Sequence, residues 1–361
     1  MLRVVGAKQS TLPGAKFLMT ELVAGLPLAA LVALFAAAAA VVWWAGTHLT
    51  TQVDQVARRF DLGQAFAGMV LLGGITSLPE LAAVSTASIS GDATLAVNNL
   101  LGSAAVNILL LVIADIVFGR DALTRVAAQP GTLMQGVLGM MLMGAVACLV
   151  LWGDLSVGGV GLGAVGVAVA CVLAMRVSSR YERRDVWRRT DDDQESAPAH
   201  EKSDPRSTGR MLANLALLGV AILAAGALLS LSADGIATQT GLSSGMVGFL
   251  LVAFATSLPE LSSVTAAVRA RRYELAVGDV FGTNLFNLAL LLIADLLSSG
   301  EPVLAAAGPF EALGALVALL MTGAFVIGLL ERGNRTLLRM GYDAIAAFAI
   351  FVLGVAAMST L

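Results

Sequence analysis

A six-residue motif occurs twice in the chain and constrains its fold more than any other feature. Thr-Ser-Leu-Pro-Glu-Leu occupies residues 76–81 and again residues 256–261, a shift of 180 positions. The same shift pairs Asn99 with Asp279, and Asp115 with Asp295. Because the register is kept well beyond the motif, the two halves are predicted to be copies of one structural unit.

The motif lies within long apolar segments. Of the 361 residues, 58% are hydrophobic and only 13% are charged, and the mean hydropathy is +0.85. A soluble protein would carry roughly 25% charged residues, so the composition indicates a helical protein that crosses a membrane many times. A carboxylate inside such a segment is costly in lipid. Glu80 and Glu260, repeated in one frame, are therefore typical of duplicated transporters, whose site lies where the repeats meet.

Windows of about 20 apolar residues predict ten membrane-spanning helices. The predicted fold class is an all-α polytopic membrane protein with ten transmembrane helices as two inverted five-helix repeats. We expect a tail at 1–23, a first repeat at 24–177, a linker at 178–209 and a second repeat at 210–361. The expected spans are 24–48, 62–90, 93–118, 132–152, 156–177, 210–233, 243–270, 273–298, 311–330 and 341–360.

The basic residues predict how the chain is oriented in the membrane. Five spans per repeat turn the second repeat upside down relative to the first. With the N-terminus external, 19 of the 22 Lys and Arg residues face the cytoplasm, and only Arg3, Lys8 and Lys16 lie outside. Positive charge is enriched on the cytoplasmic side of membrane proteins. We therefore expect external N- and C-termini and a cytoplasmic linker.

The linker is dense in charge and contains the run Asp191-Asp192-Asp193. Its composition indicates a solvated, flexible connection rather than a regulatory calcium sensor. About thirty residues are also too few for a folded domain of any size. Cys148 and Cys171 fall within predicted spans and lack the spacing of a metal site, so we expect them to be packing residues.

The proline of each motif disturbs the helix that carries it. Proline lacks an amide donor and clashes with the preceding turn. The carbonyls of Ile75 and Ala255 are therefore predicted to lose their helical partners, and carbonyls from Gly73 and Ala253 onward are predicted to face a cavity. Irregular backbone at membrane depth is tolerated where it lines such a cavity.

The hydroxyls of the motif complement its carboxylate. Thr76 and Ser77 lie four and three residues before Glu80, so the three side chains share roughly one helix face. Two such half-sites form a cage made entirely of oxygen atoms, which suits hard cations such as Na⁺ and Ca²⁺. The second half-site consists of Thr256, Ser257 and Glu260.

Other polar residues of the repeats have simpler interpretations. The pairs Gly102-Ser103 and Gly282-Thr283 are typical of close helix contacts. Asn107 and Asn287 are interpreted as interhelical hydrogen-bonding residues. Asp115 and Asp295 lie near predicted helix ends, where we expect solvated or snorkelling carboxylates.

Segments Gly73–Asn107 and Ala253–Asn287 resemble the alpha repeats of the sodium/calcium exchanger family, a branch of the cation/calcium antiporters. The family pattern is G-T-S-L-P-E followed by G-N/D-x-x-G-S-N. This chain departs from the pattern at Ile75 and Ala255, where the family has glycine, and at Ala104, where it has asparagine.

The resemblance implies which residues bind the cation. Glu80 and Glu260 would coordinate it, Asn99 and Asp279 would complete a diamond, and hydroxyls and carbonyls would supply further oxygens. Those further ligands are Thr76, Ser77, Thr256 and Ser257, the carbonyls of Gly73 and Ala253, and, nearby, Ser103 and Thr283.

The resemblance also implies an activity, namely exchange of Na⁺ for Ca²⁺ by alternating access, with Ca²⁺ extruded from the cytoplasm. The expected partners are the lipid bilayer, Na⁺ and Ca²⁺, with H⁺ as a third candidate ion, and neither cofactor, nucleic acid nor obligate protein partner is expected. The expected location is a prokaryotic inner membrane. The alternatives are a proton-coupled or other divalent cation exchanger, a channel, and an intramembrane enzyme, which would need a nucleophile–base pair or a histidine cluster.

Overall fold

A computed structural model describes residues 23, 25–59, 73–118, 122–182, 208–333, 336–337 and 340–361. The expected N-terminal tail, the first part of the span predicted at 62–90 and most of the linker, including Asp191-Asp192-Asp193, lie outside these residues. The predictions for those segments remain predictions.

The first half consists of long helices joined by short elements. Its proline-containing segment is divided at Ser77 into two helices. In chain order, the elements are α1 (Leu28–Arg59), α2 (Gly73–Thr76), α3 (Leu78–Ser90), α4 (Ala93–Phe118), α5 (Leu123–Ala127), α6 (Pro130–Trp152), β1 (Ser156–Val157), β2 (Val160–Gly161) and α7 (Leu162–Glu182).

The second half repeats this order, and its proline-containing segment is divided at Ser257. A π-helical turn, Val247–Val252, precedes that division. The elements are α8 (Thr208–Thr240), α9 (Ser244–Met246), α10 (Ala253–Thr256), α11 (Leu258–Arg269), α12 (Tyr273–Leu297), α13 (Val303–Ala306), α14 (Pro309–Glu331), β3 (Thr336–Leu337), β4 (Met340–Gly341) and α15 (Tyr342–Met358).

Within the described residues, seven helices are long and apolar enough to cross a membrane. An eighth candidate span is the bent pair Ser244–Thr256 and Leu258–Arg269, whose halves meet at 46°. Helix α15 is apolar but shorter, at 17 residues. The structure therefore supports a polytopic helical membrane protein, while the count of ten spans stays a prediction.

The span predicted at 156–177 begins six residues too early. Residues 156–161 form an antiparallel hairpin, in which Ser156 pairs with Gly161 and Val157 with Val160. Gly158 and Gly159 form its two-residue turn with positive φ values of 64° and 87°. Such a turn favours glycine at both positions, so helix α7 starts only at Leu162.

Helices α4 and α12 lie at the centre of the molecule. In the apolar window of α4, 83% of the residues are buried, against 22% in the window of α1. Helix α1 packs chiefly against α8, and this pair contacts the divided helices α3 and α11. The repeated motifs are thus held between a buried centre and a more exposed helix pair.

Two buried carboxylates connect the halves. Asp115 accepts hydrogen bonds from the backbone N–H groups of Leu123, at 2.6 Å, and Gly341, at 2.6 Å. Asp295, the counterpart of Asp115, accepts from the backbone N–H groups of Val303, at 2.8 Å, and Gly161, at 2.7 Å. These two donors are the residues that correspond to Leu123 and Gly341 under the 180-residue shift.

The expectation that Asp115 and Asp295 are solvated or snorkelling is wrong. Each side chain is only 2% exposed, and each carboxylate accepts one bond from its own half and one from the other half. Charged acceptors form stronger hydrogen bonds than neutral ones. We therefore interpret the two aspartates as structural connections between the repeats.

Removing either carboxylate is expected to destabilise the fold. Asp115→Ala and Asp295→Ala each leave two buried N–H groups without their acceptor, which costs about 2–4 kcal/mol. The melting temperature of the purified protein in detergent should fall clearly for both variants. The exposed residue Glu301 supplies the control, Glu301→Ala, which should melt like the wild type. Unchanged melting of both aspartate variants would contradict this role.

Candidate cation site

The two motifs adopt the same local structure. Helix α2 ends at Thr76 and α3 begins at Leu78, while α10 ends at Thr256 and α11 begins at Leu258. In both α3 and α11 the proline stands in the first turn, where its missing N–H costs nothing. Each motif glutamate follows directly, so its carboxylate lies at a helix N-terminus, where the helix dipole favours negative charge.

Three carboxylates of the predicted site are buried near one another. Glu80 and Glu260 are 0% exposed and Asp279 is 1% exposed. The carboxylates of Glu80 and Asp279 both lie close enough to that of Glu260 to interact with it electrostatically. Uniting like charges in an apolar interior is unfavourable without a compensating cation or proton.

Each glutamate is met by hydroxyl groups of the other repeat. Ser257 donates to the Oε1 atom of Glu80 at 3.5 Å, and the hydroxyl of Thr256 is also within reach of that carboxylate. In the opposite direction, the hydroxyl of Thr76 lies near the carboxylate of Glu260, although neither oxygen of that carboxylate accepts a hydrogen bond within the described residues. The predicted half-sites are therefore not separate, because each is completed by residues from the other half.

Polar residues four positions apart extend the site along the central helices. On α4, Asn99 accepts a bond from the Thr256 hydroxyl at 3.3 Å, and Ser103 lies 3.4 Å from the same hydroxyl. On α12, Asp279 accepts a hydrogen bond from the Ser263 hydroxyl. One helix turn further along α12 lies Thr283, which is fully buried.

Asn107 and Asn287, which were interpreted from the sequence as helix contacts, also continue these two rows. Residues 99, 103 and 107 are spaced by four, as are 279, 283 and 287, so each row follows one helix face. The spacing was visible in the sequence. Asn107 does form the expected interhelical bond, to Asn284 at 2.9 Å. Asn287 does not: both polar atoms of its side chain lack a partner among the described residues.

Many oxygens around the site are buried without a hydrogen-bond partner in the described part of the chain. Buried polar atoms are almost always paired, so a cluster of unpaired oxygens is a specific feature of this region. The oxygens are Oε2 of Glu80, both carboxylate oxygens of Glu260, Oδ1 of Asp279, Oγ1 of Thr283 and Oδ1 of Asn107 and Asn287.

The carbonyl of Ala253, a predicted ligand, lies in the last turn before the division of the second motif. The carbonyl of Ala253 keeps its helical partner, since it accepts from the Ser257 N–H at 3.1 Å, and it also accepts from the Thr256 hydroxyl at 3.3 Å. The helix is interrupted after this turn, and the role of the Ala253 carbonyl as a cation ligand stays a prediction. In the first motif, Gly73 is the first residue of α2.

The carboxylates do not by themselves form a metal cluster. Across the described residues, no group of three or more His, Cys, Asp or Glu side chains is placed to hold one metal ion. A cation at this position would therefore need the hydroxyl and amide oxygens as well. Mixed oxygen ligands of this kind suit Na⁺ and Ca²⁺ rather than Zn²⁺, whose protein sites include His nitrogen or Cys sulfur.

Duplicated membrane-embedded halves, divided helices and buried carboxylates are typical of ion-transporting membrane proteins. The chain belongs to the sodium/calcium exchanger family, because the model of that family, described as "Sodium/calcium exchanger protein", matches residues 30–176 and 211–359. This family comprises transporters, not enzymes.

Two relatives are similar over most of the chain. CaxA, a candidate antiporter of Alkalimonas amylolytica, is 27% identical over 298 residues, which cover 81% of this chain and 89% of the relative. Inner membrane protein YrbG of Escherichia coli (strain K12) is 29% identical over 269 residues, which cover 72% of this chain and 78% of the relative.

The fold is similar to that of the sodium-calcium exchanger NCX_Mj. A structure of NCX_Mj soaked with 2.5 mM Na⁺ and 0.1 mM Sr²⁺ matches with a TM-score of 0.63 at 17% identity, covering 91% of this chain and 99% of that chain. The structure soaked with zero Na⁺ and Ca²⁺ gives a TM-score of 0.59, covering 92% of this chain and 100% of that chain. At this identity the likeness shows a shared fold.

Proposed function

We propose that this protein is a secondary antiporter that exchanges Na⁺ for Ca²⁺ and extrudes Ca²⁺ from the cytoplasm. The observation that carries the proposal is the reciprocal arrangement of the motifs, in which Glu80 meets hydroxyls of the second repeat and Glu260 meets a hydroxyl of the first. A cation bound between them contacts both halves, so its binding depends on how the halves are arranged.

The proposed ligands are the oxygens that surround the two glutamates. They include the residues expected from the sequence, now with Asn107 and Asn287 added because their side-chain oxygens are buried and unpaired within the described residues. The carbonyl of Ala253 would join only after a local rearrangement. The full proposed set is Glu80, Glu260, Asp279, Asn99, Thr76, Ser77, Thr256, Ser257, Ser103, Thr283, Asn107, Asn287 and the carbonyls of Gly73 and Ala253.

The charge of the site supports a competition between ions. Glu80, Glu260 and Asp279 carry three negative charges when ionised, which three Na⁺ ions would neutralise and one Ca²⁺ would not. A residual charge in a low-dielectric cavity is costly, so we propose that one carboxylate takes up a proton when Ca²⁺ is bound. Asp279 is the proposed carrier, because the two glutamates hold the divalent ion.

We further propose that the halves are inverted relative to each other, that both termini are external, and that the protein resides in a prokaryotic inner membrane. The distribution of Lys and Arg supports this orientation. Alternating access would then arise from movement of the pair α1 and α8, which is less buried than the centre and contacts both divided helices.

The proposal is tested by Ca²⁺ flux in proteoliposomes that contain the purified protein. A Na⁺ gradient of either direction should drive ⁴⁵Ca²⁺ movement in the opposite direction. When an ionophore collapses the Na⁺ gradient, this ⁴⁵Ca²⁺ movement should stop. Flux driven by a pH gradient alone, without Na⁺, would replace the proposal with a proton-coupled cation exchanger. Flux that ignores both gradients would indicate a channel.

A further inference from the structure

Among the buried positions at which the repeats differ next to the proposed site is 104/284, where Asn284 of the second repeat corresponds to Ala104 of the first. Both side chains are buried, at 2% and 0% exposure. The two positions face each other, since the side-chain Nδ2 of Asn284 donates to the backbone carbonyl of Ala104 at 3.2 Å. The asymmetry therefore lies where the central helices α4 and α12 meet.

This contact fixes the orientation of two amide groups. A carbonyl oxygen only accepts hydrogen bonds, so Asn284 must direct its NH₂ group towards Ala104 and its Oδ1 away from it. That Oδ1 accepts from Nδ2 of Asn107 at 2.9 Å. Asn107 consequently has its NH₂ group occupied, and its Oδ1 is left buried without a partner in the described residues.

The equivalent contact in the other direction is missing. A shift of 180 residues converts the pair Asn107–Asn284 into Asn287–Ala104, and alanine has no side-chain acceptor. Correspondingly, Nδ2 and Oδ1 of Asn287 are both unpaired among the described residues, although this side chain is 0% exposed. Within the described residues, no hydrogen bond therefore fixes whether the amide oxygen or the NH₂ group of Asn287 is directed towards the proposed site.

We infer that Asn284 is a positioning residue, which holds Asn107 with its side-chain oxygen directed towards the cation, and that Ala104 leaves Asn287 without such a support. The inference rests on the proposed cation site and concerns which half of it is preorganised. Asn107 lies one helix turn beyond Ser103, whose hydroxyl is 3.4 Å from that of Thr256, so its oxygen extends the row that borders the glutamates.

The consequence is a difference between the half-sites. A ligand that is already oriented costs less to bind than one that must be ordered first. The first repeat therefore offers a fixed amide oxygen, whereas the second repeat must order Asn287 when the ion arrives. The position 104/284 thus adjusts cation affinity without touching the ion.

The test uses four proteins: wild type, Asn284→Ala, Ala104→Asn and the exchange variant with both substitutions. The concentration of Ca²⁺ that gives half-maximal flux, and the maximal flux, are measured separately with ⁴⁵Ca²⁺ in proteoliposomes. Asn284→Ala should raise the half-maximal concentration about three- to tenfold, because one oriented hydrogen bond is lost, with little change in maximal flux.

The exchange variant distinguishes positioning from mere structural support. It removes the support of Asn107 and supplies one to Asn287, so its half-maximal concentration should return towards the wild-type value. Ala104→Asn alone should lower that concentration or leave it unchanged. If the exchange variant is instead as impaired as Asn284→Ala, or if Asn284→Ala itself keeps wild-type affinity, the inference is wrong.

Two measurements guard against misreading a folding defect. Melting temperatures are compared for all four proteins, and Asn284→Asp, which still accepts from Asn107 but cannot donate to Ala104 when ionised, is added as a second variant. Because Asn284→Asp still holds the NH₂ group of Asn107, a folded Asn284→Asp protein should lose less Ca²⁺ affinity than Asn284→Ala, and an equal loss in both would contradict positioning by residue 284. If the proposed exchange function itself is wrong, the wild-type protein will show no gradient-driven flux, and this result is distinct from any difference among the variants.

Discussion

Glu260→Gln and Glu80→Gln should each abolish both Na⁺-driven Ca²⁺ flux and Ca²⁺ binding. Glutamine keeps the size of the side chain but removes the charge from a fully buried position. Losing one partner of a buried charge pair costs roughly 3–5 kcal/mol, which corresponds to at least about a hundredfold in affinity. Binding is measured by isothermal titration of the detergent-solubilised protein with Ca²⁺, and flux with ⁴⁵Ca²⁺ in proteoliposomes.

Asp279→Asn should behave differently from the glutamate variants. If Asp279 carries a proton whenever Ca²⁺ is bound, the neutral amide mimics that state, and Ca²⁺ transport should persist. Binding at one Na⁺ position should weaken, which would appear as a higher Na⁺ concentration for half-maximal flux. An Asp279→Asn protein that is inactive, together with an active Glu80→Gln protein, would show that the roles are assigned wrongly.

The matched control is Glu301→Gln, which removes the same charge at an exposed position. Its flux should equal that of the wild type. The pH dependence adds a further check, because protons compete with cations for carboxylate oxygens. Lowering the pH from 9 to 6 should therefore inhibit exchange by the wild type, and excess Ca²⁺ should relieve part of the inhibition.

The duplicated motif was sufficient to predict the divided helices and the burial of the repeated glutamates. The division of the helices at Ser77 and Ser257 follows from a proline that cannot donate a backbone bond. Burial of Glu80, Glu260 and Asp279 follows from their apolar surroundings. These predictions succeeded because their causes are local in sequence, or are repeated in one register.

The errors arose where the partner of a residue is distant and carries no sequence signal. Asp115 is satisfied by the backbone N–H of Gly341, 226 residues away, and Asp295 by that of Gly161. Any residue except proline offers such an N–H, so nothing in the sequence distinguishes these carboxylates from solvated ones.

Asn107 and Asn287 were not predicted as ligands for a different reason. Their spacing from Ser103 and Thr283 was visible in the sequence, but an asparagine within the membrane can equally well bond to a neighbouring helix. Asn107 does so and Asn287 does not. The two residues differ because Asn107 faces Asn284, whose side chain accepts a hydrogen bond, whereas the residue that corresponds to Asn284 in the other repeat is Ala104, which has no side-chain acceptor.

Large side chains at Gly46 and Gly226 should block transport. A Cβ atom at Gly46 of α1 would lie 2.5 Å from the Cβ and Cγ atoms of Pro259, and one at Gly226 of α8 would lie 2.7 Å from the Pro79 carbonyl and 2.8 Å from Ala82. Positions 46 and 226 differ by 180 residues, as do the two prolines. Each helix of the pair therefore touches the divided helix of the opposite half.

Because real Cβ atoms essentially never approach another atom this closely, Gly226→Ala must separate α8 from α3, and Gly226→Leu must separate them further. If α1 and α8 move past the prolines to alternate access, the added bulk hinders that movement more than it hinders binding. Initial ⁴⁵Ca²⁺ flux should fall in the order glycine, alanine, leucine, by at least about tenfold for leucine. Ca²⁺ binding to the solubilised protein should persist.

The same helix offers a matched control, because a Cβ atom at Gly219 would lie 3.8 Å from the Leu78 side chain, an ordinary contact. Gly219→Ala should therefore transport like the wild type. Full flux in Gly226→Leu and Gly46→Leu would mean that neither glycine lies on a surface that moves. The divided helices themselves, which carry the glutamates and contact the outer pair, would then be the next elements to test for the access change.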